Sequence, residues 1–117
     1  MTTTNPQLAE LIRELKEKAI TSNQAIWKRV ASDLERPSRQ RRVVNLSRIN
    51  HHTEEGETII VPGKVLSSGE LNHKLTIAAW QFSDKAKEKI SQQNATALSI
   101  GELMNKNTKG KKVRIIG

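Results

Sequence analysis

The stretch that most restricts the fold is Leu75-Thr76-Ile77-Ala78-Ala79-Trp80-Gln81-Phe82. A strand sends successive side chains to opposite faces. A run that is apolar at both parities therefore predicts a central strand in a sheet covered on both sides. The rest of the chain has to supply the neighbouring strands and the covering layers. Thr58-Ile59-Ile60-Val61 is β-branched and predicts a second buried strand, ended by Pro62-Gly63. Lys64-Val65-Leu66 reads as another short strand and Ser67-Ser68-Gly69-Glu70 as a turn. Ser83-Asp84 opens a helix to about Gln93, with Ala86 and Ile90 inward and Lys85, Lys87 and Lys89 outward. Ala95 to Ser99 returns as a strand. Ser99-Ile100-Gly101-Glu102 has the capping-box spacing of a short helix start. Val113, Ile115 and Ile116 give a last strand.

Two helices precede this. Asn5-Pro6 pairs an N-cap residue with proline at the first helical position. Leu8, Leu11, Ile12, Leu15 and Ala19 then recur on one helical face, to about Ile20. Thr21-Ser22-Asn23 reads as a turn in which Ser22 or Asn23 caps the next helix. Ile26, Trp27, Val30, Ala31 and Leu34 form the apolar face of that helix, and Pro37 stops it just after Arg36. A short strand follows at Val43-Val44-Asn45-Leu46, and His51 to Glu57 reads as a polar turn. The whole is a mixed α/β chain, expected as a single domain over 1–117, with a basic loop at 36–42 and a mobile basic tail at 105–112.

The formal charge of +8 is unevenly placed. The segment from Lys28 to Arg48 carries +5, the segment from Lys106 to Arg114 another +5, and the remainder −2. Concentrated positive charge repels itself unless an anionic partner faces it. Arginine's planar fork also matches phosphate oxygens in a bidentate way. These clusters point to a nucleic-acid backbone. The candidate contacts are Lys28, Arg29, Arg36, Arg39, Arg41, Arg42 and Arg48, then Lys64, then Lys106, Lys109, Lys111, Lys112 and Arg114. Gly110 among them allows close backbone approach. The aromatics are only Trp27, Trp80 and Phe82, all in apolar patterns that read as core. Base stacking is therefore not the expected mode.

There is no cysteine, which excludes disulfides and thiol chemistry. No apolar run approaches membrane-spanning length and the N-terminus has no signal-peptide pattern, so a cytoplasmic protein is expected. Pro62-Gly63-Lys64 lacks the remaining residues of a phosphate-binding P-loop. His51 and His52 lack a third ligand at metal spacing, and His73 stands as a surface histidine without an evident partner. No catalytic set, cofactor or small-molecule substrate is indicated. Two other readings compete. The two helices could form a DNA-binding helix-turn-helix with Asn23, Gln24 and Lys28 at the reading end, but the basic charge follows the second helix instead of lying along it. An RNA-processing enzyme lacks a nameable acid–base pair.

Four stretches carry a family resemblance: N-P-Q-L-A-E-L-I, W-K-R-V-A-S-D-L-E-R-P-S-R-Q-R-R-V-V-N-L-S-R-I, I-I-V-P-G-K-V-L-S-S-G-E-L and N-T-K-G-K-K-V-R-I-I-G. In this order and spacing the chain resembles, over nearly its whole length, archaeal large-subunit ribosomal proteins of the "eighteen-e" type. These are relatives of the eukaryotic L-eighteen proteins and, more distantly, of bacterial L-fifteen. The resemblance implies two helices followed by an irregular strand–strand–helix superhelix. It implies a structural role in the large subunit, with contacts to its rRNA and to neighbouring ribosomal proteins. It does not extend to the long glycine-rich basic arm of L-fifteen, since this sequence begins directly with a helix, nor to the longer ends of the eukaryotic relatives.

Overall fold

The structure, a computed structural model, describes residues 5–37, 41–106 and 113–116. The chain forms two compact units divided between Arg41 and Arg42. The first is a helix pair, α1 (Pro6–Ser22) and α2 (Ala25–Leu34). Asn5 caps α1 as expected: its side-chain oxygen accepts from the N–H groups of Gln7 (2.9 Å) and Leu8 (3.3 Å). Leu8, Leu11 and Leu15 are buried on α1, and Trp27, Val30, Ala31 and Leu34 on α2.

The junction between these helices differs from expectation. Thr21 and Ser22 belong to α1, and neither Ser22 nor Asn23 caps α2. The Ser22 hydroxyl donates back to the Lys18 carbonyl, a local bond that competes with capping. Asn23 ends α1 in the left-handed conformation, φ 55°, which asparagine tolerates better than most residues. Gln24 takes the N-cap position without capping; its amide oxygen accepts from the Trp27 indole N–H at 2.9 Å. α2 stops at Leu34, two residues before Arg36, with Glu35 as its C-cap.

The second unit holds β1 (Arg42–Asn45), α3 (Leu46–His52), β2 (Thr58–Leu66), β3 (Thr76–Phe82), α4 (Asp84–Gln92), β4 (Thr96–Ser99), α5 (Ile100–Asn105) and β5 (Val113–Ile115). All strand pairs are parallel, in the order β1-β2-β3-β4. β5 pairs with the first residues of β2, Thr58 to Ile60, and β1 with the last, Gly63 to Leu66. Because β3 occupies the other side of β2, these two short strands share one edge of it.

β2 is one strand, where the sequence predicted two separated by Pro62-Gly63. It carries one extra residue relative to β3 between Val61 and Lys64. Pro62 cannot donate to a ladder, and it sits both at this bulge and in the gap between the β5 and β1 pairings. Its missing N–H therefore interrupts nothing. α3 is the second correction. The sequence reading ended a strand at Leu46 and made His51 onward a turn, but a short helix buries Leu46 and Ile49 at i and i+3. Less than two turns of periodicity gave too weak a signal.

Ile59, Val61, Val65, Ile77 and Ala79 share a core with Leu46 and Ile49 of α3 and with Ala86 and Ile90 of α4. Ile60 and Ala78, of opposite parity, are buried too, as are Ile100, Leu103 and Met104 of α5. The central strand is therefore covered on both faces, as its composition required. Trp80 and Phe82 are only partly covered, unlike Trp27. Ser83 caps α4, and Ser99 and Glu102 form the expected capping box on α5. Lys89 does not simply face outward: its ammonium donates to the carbonyls of Ser67 and Gly69, both at 2.9 Å. Asn45 and Asn50 accept from the backbone of Ser68 and Asn72, so the β2–β3 loop is fastened from the end of β1, from α3 and from α4.

Candidate nucleic-acid interface

The basic residues fall on elements of both units. On α2, Lys28 and Arg29 are exposed, and among the described residues their side chains make no ion pair or hydrogen bond. Arg36 is exposed, with its Nε 3.9 Å from a carboxylate oxygen of the buried Asp33. Arg41 is half-buried, and its Nε donates to the Leu34 carbonyl at 3.2 Å. That bond satisfies an orphan carbonyl at the end of α2, where a cation also meets the negative end of the helix dipole. It also orients the guanidinium, whose terminal nitrogens make no hydrogen bond among the described residues.

In the second unit Arg42 opens β1 opposite Gly63, and Arg48 is exposed on α3. Lys64 is exposed on β2, and Lys106 caps the C-terminus of α5 through its N–H to Leu103. Arg39, Lys109, Gly110, Lys111 and Lys112 lie outside the described residues. So does most of the segment expected to be mobile; Asn105 and Lys106 close α5.

Both basic segments deliver the chain to one edge of the sheet. The arginine stretch leads into β1, whose Arg42 pairs with Gly63; the basic tail leads into β5, whose Val113 pairs with Thr58. Five residue steps along β2 separate these points, about 17 Å at the usual strand rise. Linear sequence could not give this juxtaposition, because it depends on which strands pair.

Arg114 is committed inside the fold. Its Nε and Nη2 hold the two carboxylate oxygens of Glu57 at 2.9 and 3.0 Å, and Nη2 also donates to the His52 carbonyl at 2.6 Å. The guanidinium thus joins β5 to the turn before β2 and to the C-terminus of α3. Glu57 accepts in addition from the Glu54 N–H at 2.7 Å. That bond first, and the Arg114 hydrogen bond second, hold the Glu57 carboxyl below its ordinary range. A depressed folded pKa stabilises the fold at pH values above the unfolded value, near 4.5. The contribution is lost as pH falls through the lower folded value. Glu57→Gln is expected to lower stability at pH 7 by about 0.5–1 kcal/mol, since the pair is partly exposed. It should also flatten the loss of melting temperature below pH 4.5. Melting curves of both proteins from pH 7 to 3 test this; equal acid slopes would remove Glu57 as a contributor.

His73 has a partner after all. The Thr53 hydroxyl donates to the Ile49 carbonyl (2.6 Å) and lies 2.8 Å from His73 Nε2. With its one proton so used, the hydroxyl accepts from an Nε2–H tautomer. This explains His73 as a structural tie between the turn after α3 and the β2–β3 loop. His51 and His52 end α3 with rings edge to face, centroids 5.2 Å apart. Gln24, at the reading end of the alternative helix-turn-helix, spends its amide oxygen on Trp27.

Residues 6–98 match the model of the ribosomal protein family that groups 50S-L15 and 50S-L18e with a 60S counterpart. The chain is 46% identical over 116 residues to "Large ribosomal subunit protein eL18" of Methanothermobacter thermautotrophicus, covering 99% of this chain and 96% of the relative. It is 46% identical to the protein of that name from Methanospirillum hungatei, over 96% of this chain and 93% of the relative. It is 45% identical to that of Methanosphaerula palustris, over 97% and 93%. These archaeal relatives bear out the resemblance in the sequence. With a family match over most of its length and relatives of nearly equal extent, the chain belongs to this family of ribosomal proteins.

Proposed function

We propose that this protein is a structural constituent of the large ribosomal subunit in the cytoplasm, and that it stabilises folded rRNA through arginine and lysine contacts to phosphates. The observation that carries this reading is the arrival of both basic segments at one edge of the parallel sheet, on a chain whose relatives are named large-subunit proteins. One contacting group runs from Lys28 and Arg29 through Arg36, Arg39, Arg41, Arg42 and Arg48. The other runs from Lys106 through Lys109, Lys111 and Lys112, with Gly110 giving the backbone close access, and Lys64 of β2, opposite Val43, adds a further cation. Arg114 braces β5 through Nε and Nη2, and its Nη1, without a hydrogen bond among the described residues, is offered to a phosphate. Neighbouring large-subunit proteins complete the surroundings. The role is non-catalytic.

The test is sedimentation of a lysate containing the tagged full chain. The chain is expected to travel with the large subunit at moderate salt, and to be released by ribonuclease or by high salt. Migration only at the top of the gradient, with retention on duplex DNA in preference to rRNA, would overturn the reading in favour of the helix-turn-helix alternative.

A further inference from the structure

β4 ends at Ser99, opposite Ala79, while β3 continues through Trp80 and Gln81 to Phe82. Among the described residues this leaves the last residues of β3 unpaired on that side, at a cleft of about 830 Å³ walled by α4 on one flank and the start of α5 on the other. Trp80 and Phe82 line it, and both are only partly buried. The contrast with Trp27 is informative. Trp27 is fully buried and its N–H is satisfied by Gln24, whereas the Trp80 N–H makes no hydrogen bond among the described residues. Buried or half-buried tryptophans ordinarily find a partner for this group. Lys64 and Lys87 also line the cleft, both exposed and neither in an ion pair among the described residues. Its one carboxylate, Glu102, is engaged by the Ser99 N–H in the α5 capping box.

An aromatic wall, a free indole donor, open backbone groups of a strand edge and two unpaired cations describe the chemistry of a nucleotide: a π face, base-edge acceptors and a phosphate. The volume falls in the range of small-molecule sites, about 300–1,000 Å³. We propose that this cleft receives one unpaired nucleotide of RNA, its base against Trp80 and its flanking phosphates against Lys64 and Lys87. The inference rests on the rRNA-binding reading and adds to it a base-stacking contact distinct from the phosphate-gripping segments.

The test uses intact protein, a short unstructured RNA oligonucleotide, a base-free polyphosphate and a folded fragment of large-subunit rRNA. The oligonucleotide is expected to quench Trp80 fluorescence, with buried Trp27 silent; polyphosphate is expected not to. Trp80→Ala should weaken oligonucleotide binding roughly 5- to 100-fold, in line with removal of one stacking platform. Trp80→Phe should retain most of it. The exposed double variant Lys64→Glu, Lys87→Glu should lose binding without loss of fold by circular dichroism. If polyphosphate quenches equally, or the charge reversals change nothing, the cleft is not a nucleotide site. Folded rRNA bound normally in that case would leave the ribosomal reading standing. Failure to bind any RNA would remove both.

Discussion

Raising salt from about 50 to about 200 mM is expected, on the proposed phosphate-contact reading, to weaken binding of this protein to a large-subunit rRNA fragment roughly 10³- to 10⁵-fold. The magnitude follows from counterion release if roughly 6–10 phosphates are neutralised, the number for which such losses are typical. The two basic segments hold enough cations for that count. Titrations at several salt concentrations give the slope directly. Lys28→Ala and Arg29→Ala should each reduce it by about one, because both residues are exposed on α2 and make no ion pair among the described residues. Arg114→Ala should behave differently, lowering stability more than slope, since two of its nitrogens hold Glu57 and the end of α3. A nearly flat dependence would mean that phosphate contact is not what holds the complex together. Equal slope losses for Arg114 and Lys28 would mean that the Glu57 clamp opens on binding.

Much of this architecture was legible where the signal is local. The Asn5 cap, the Ser83 cap and the Ser99–Glu102 capping box each depend on residues two or three positions apart. Trp27 and the apolar faces of α1 and α2 followed from helical spacing. What escaped depends on partners far along the chain. The bracing role of Arg114 was not legible because Glu57, which it holds, lies 57 residues away. Lys89 read as solvated because the carbonyls it binds belong to a loop about 20 residues earlier. Trp80 read as core because its parity suits a covered sheet, yet it is only half-buried, just past the last β3–β4 pair. The candidate site divides the same way. Charge clustering identified the basic segments, but only strand pairing brings their ends to one edge of β2. Pro62-Gly63 shows the same limit from the other side. Locally it reads as a stop, and only two flanking strands with a gap between them make it the middle of β2.

That position yields the largest expected effect on stability. Gly63→Ala is expected to destabilise the fold by about 3 kcal/mol or more, beyond the usual range for adding one methyl group to a packed site. A Cβ at Gly63 would lie 1.9 Å from the carbonyl oxygen of Arg42 and 2.8 Å from its carbonyl carbon. These are backbone atoms, so no side-chain rotation relieves the clash. The escape is to push β1 away from β2, and β1 continues directly into α3, which carries the buried Leu46 and Ile49. Gly56→Ala is the control. Its φ of +86° strains any L side chain, yet nothing lies within 4 Å, so only the left-handed penalty of about 1–2 kcal/mol applies. Urea denaturation of both variants should therefore rank Gly63 well above Gly56, with failure of Gly63→Ala to accumulate as folded protein being the extreme of the same result. Equal costs would mean that β1 does not press on β2 as closely as the pairing of Arg42 with Gly63 requires. The consequence reaches function, because Arg42 is where the arginine stretch enters the sheet. At a temperature where Gly63→Ala remains folded, it should bind rRNA more weakly than Gly56→Ala, although neither substitution removes a charge.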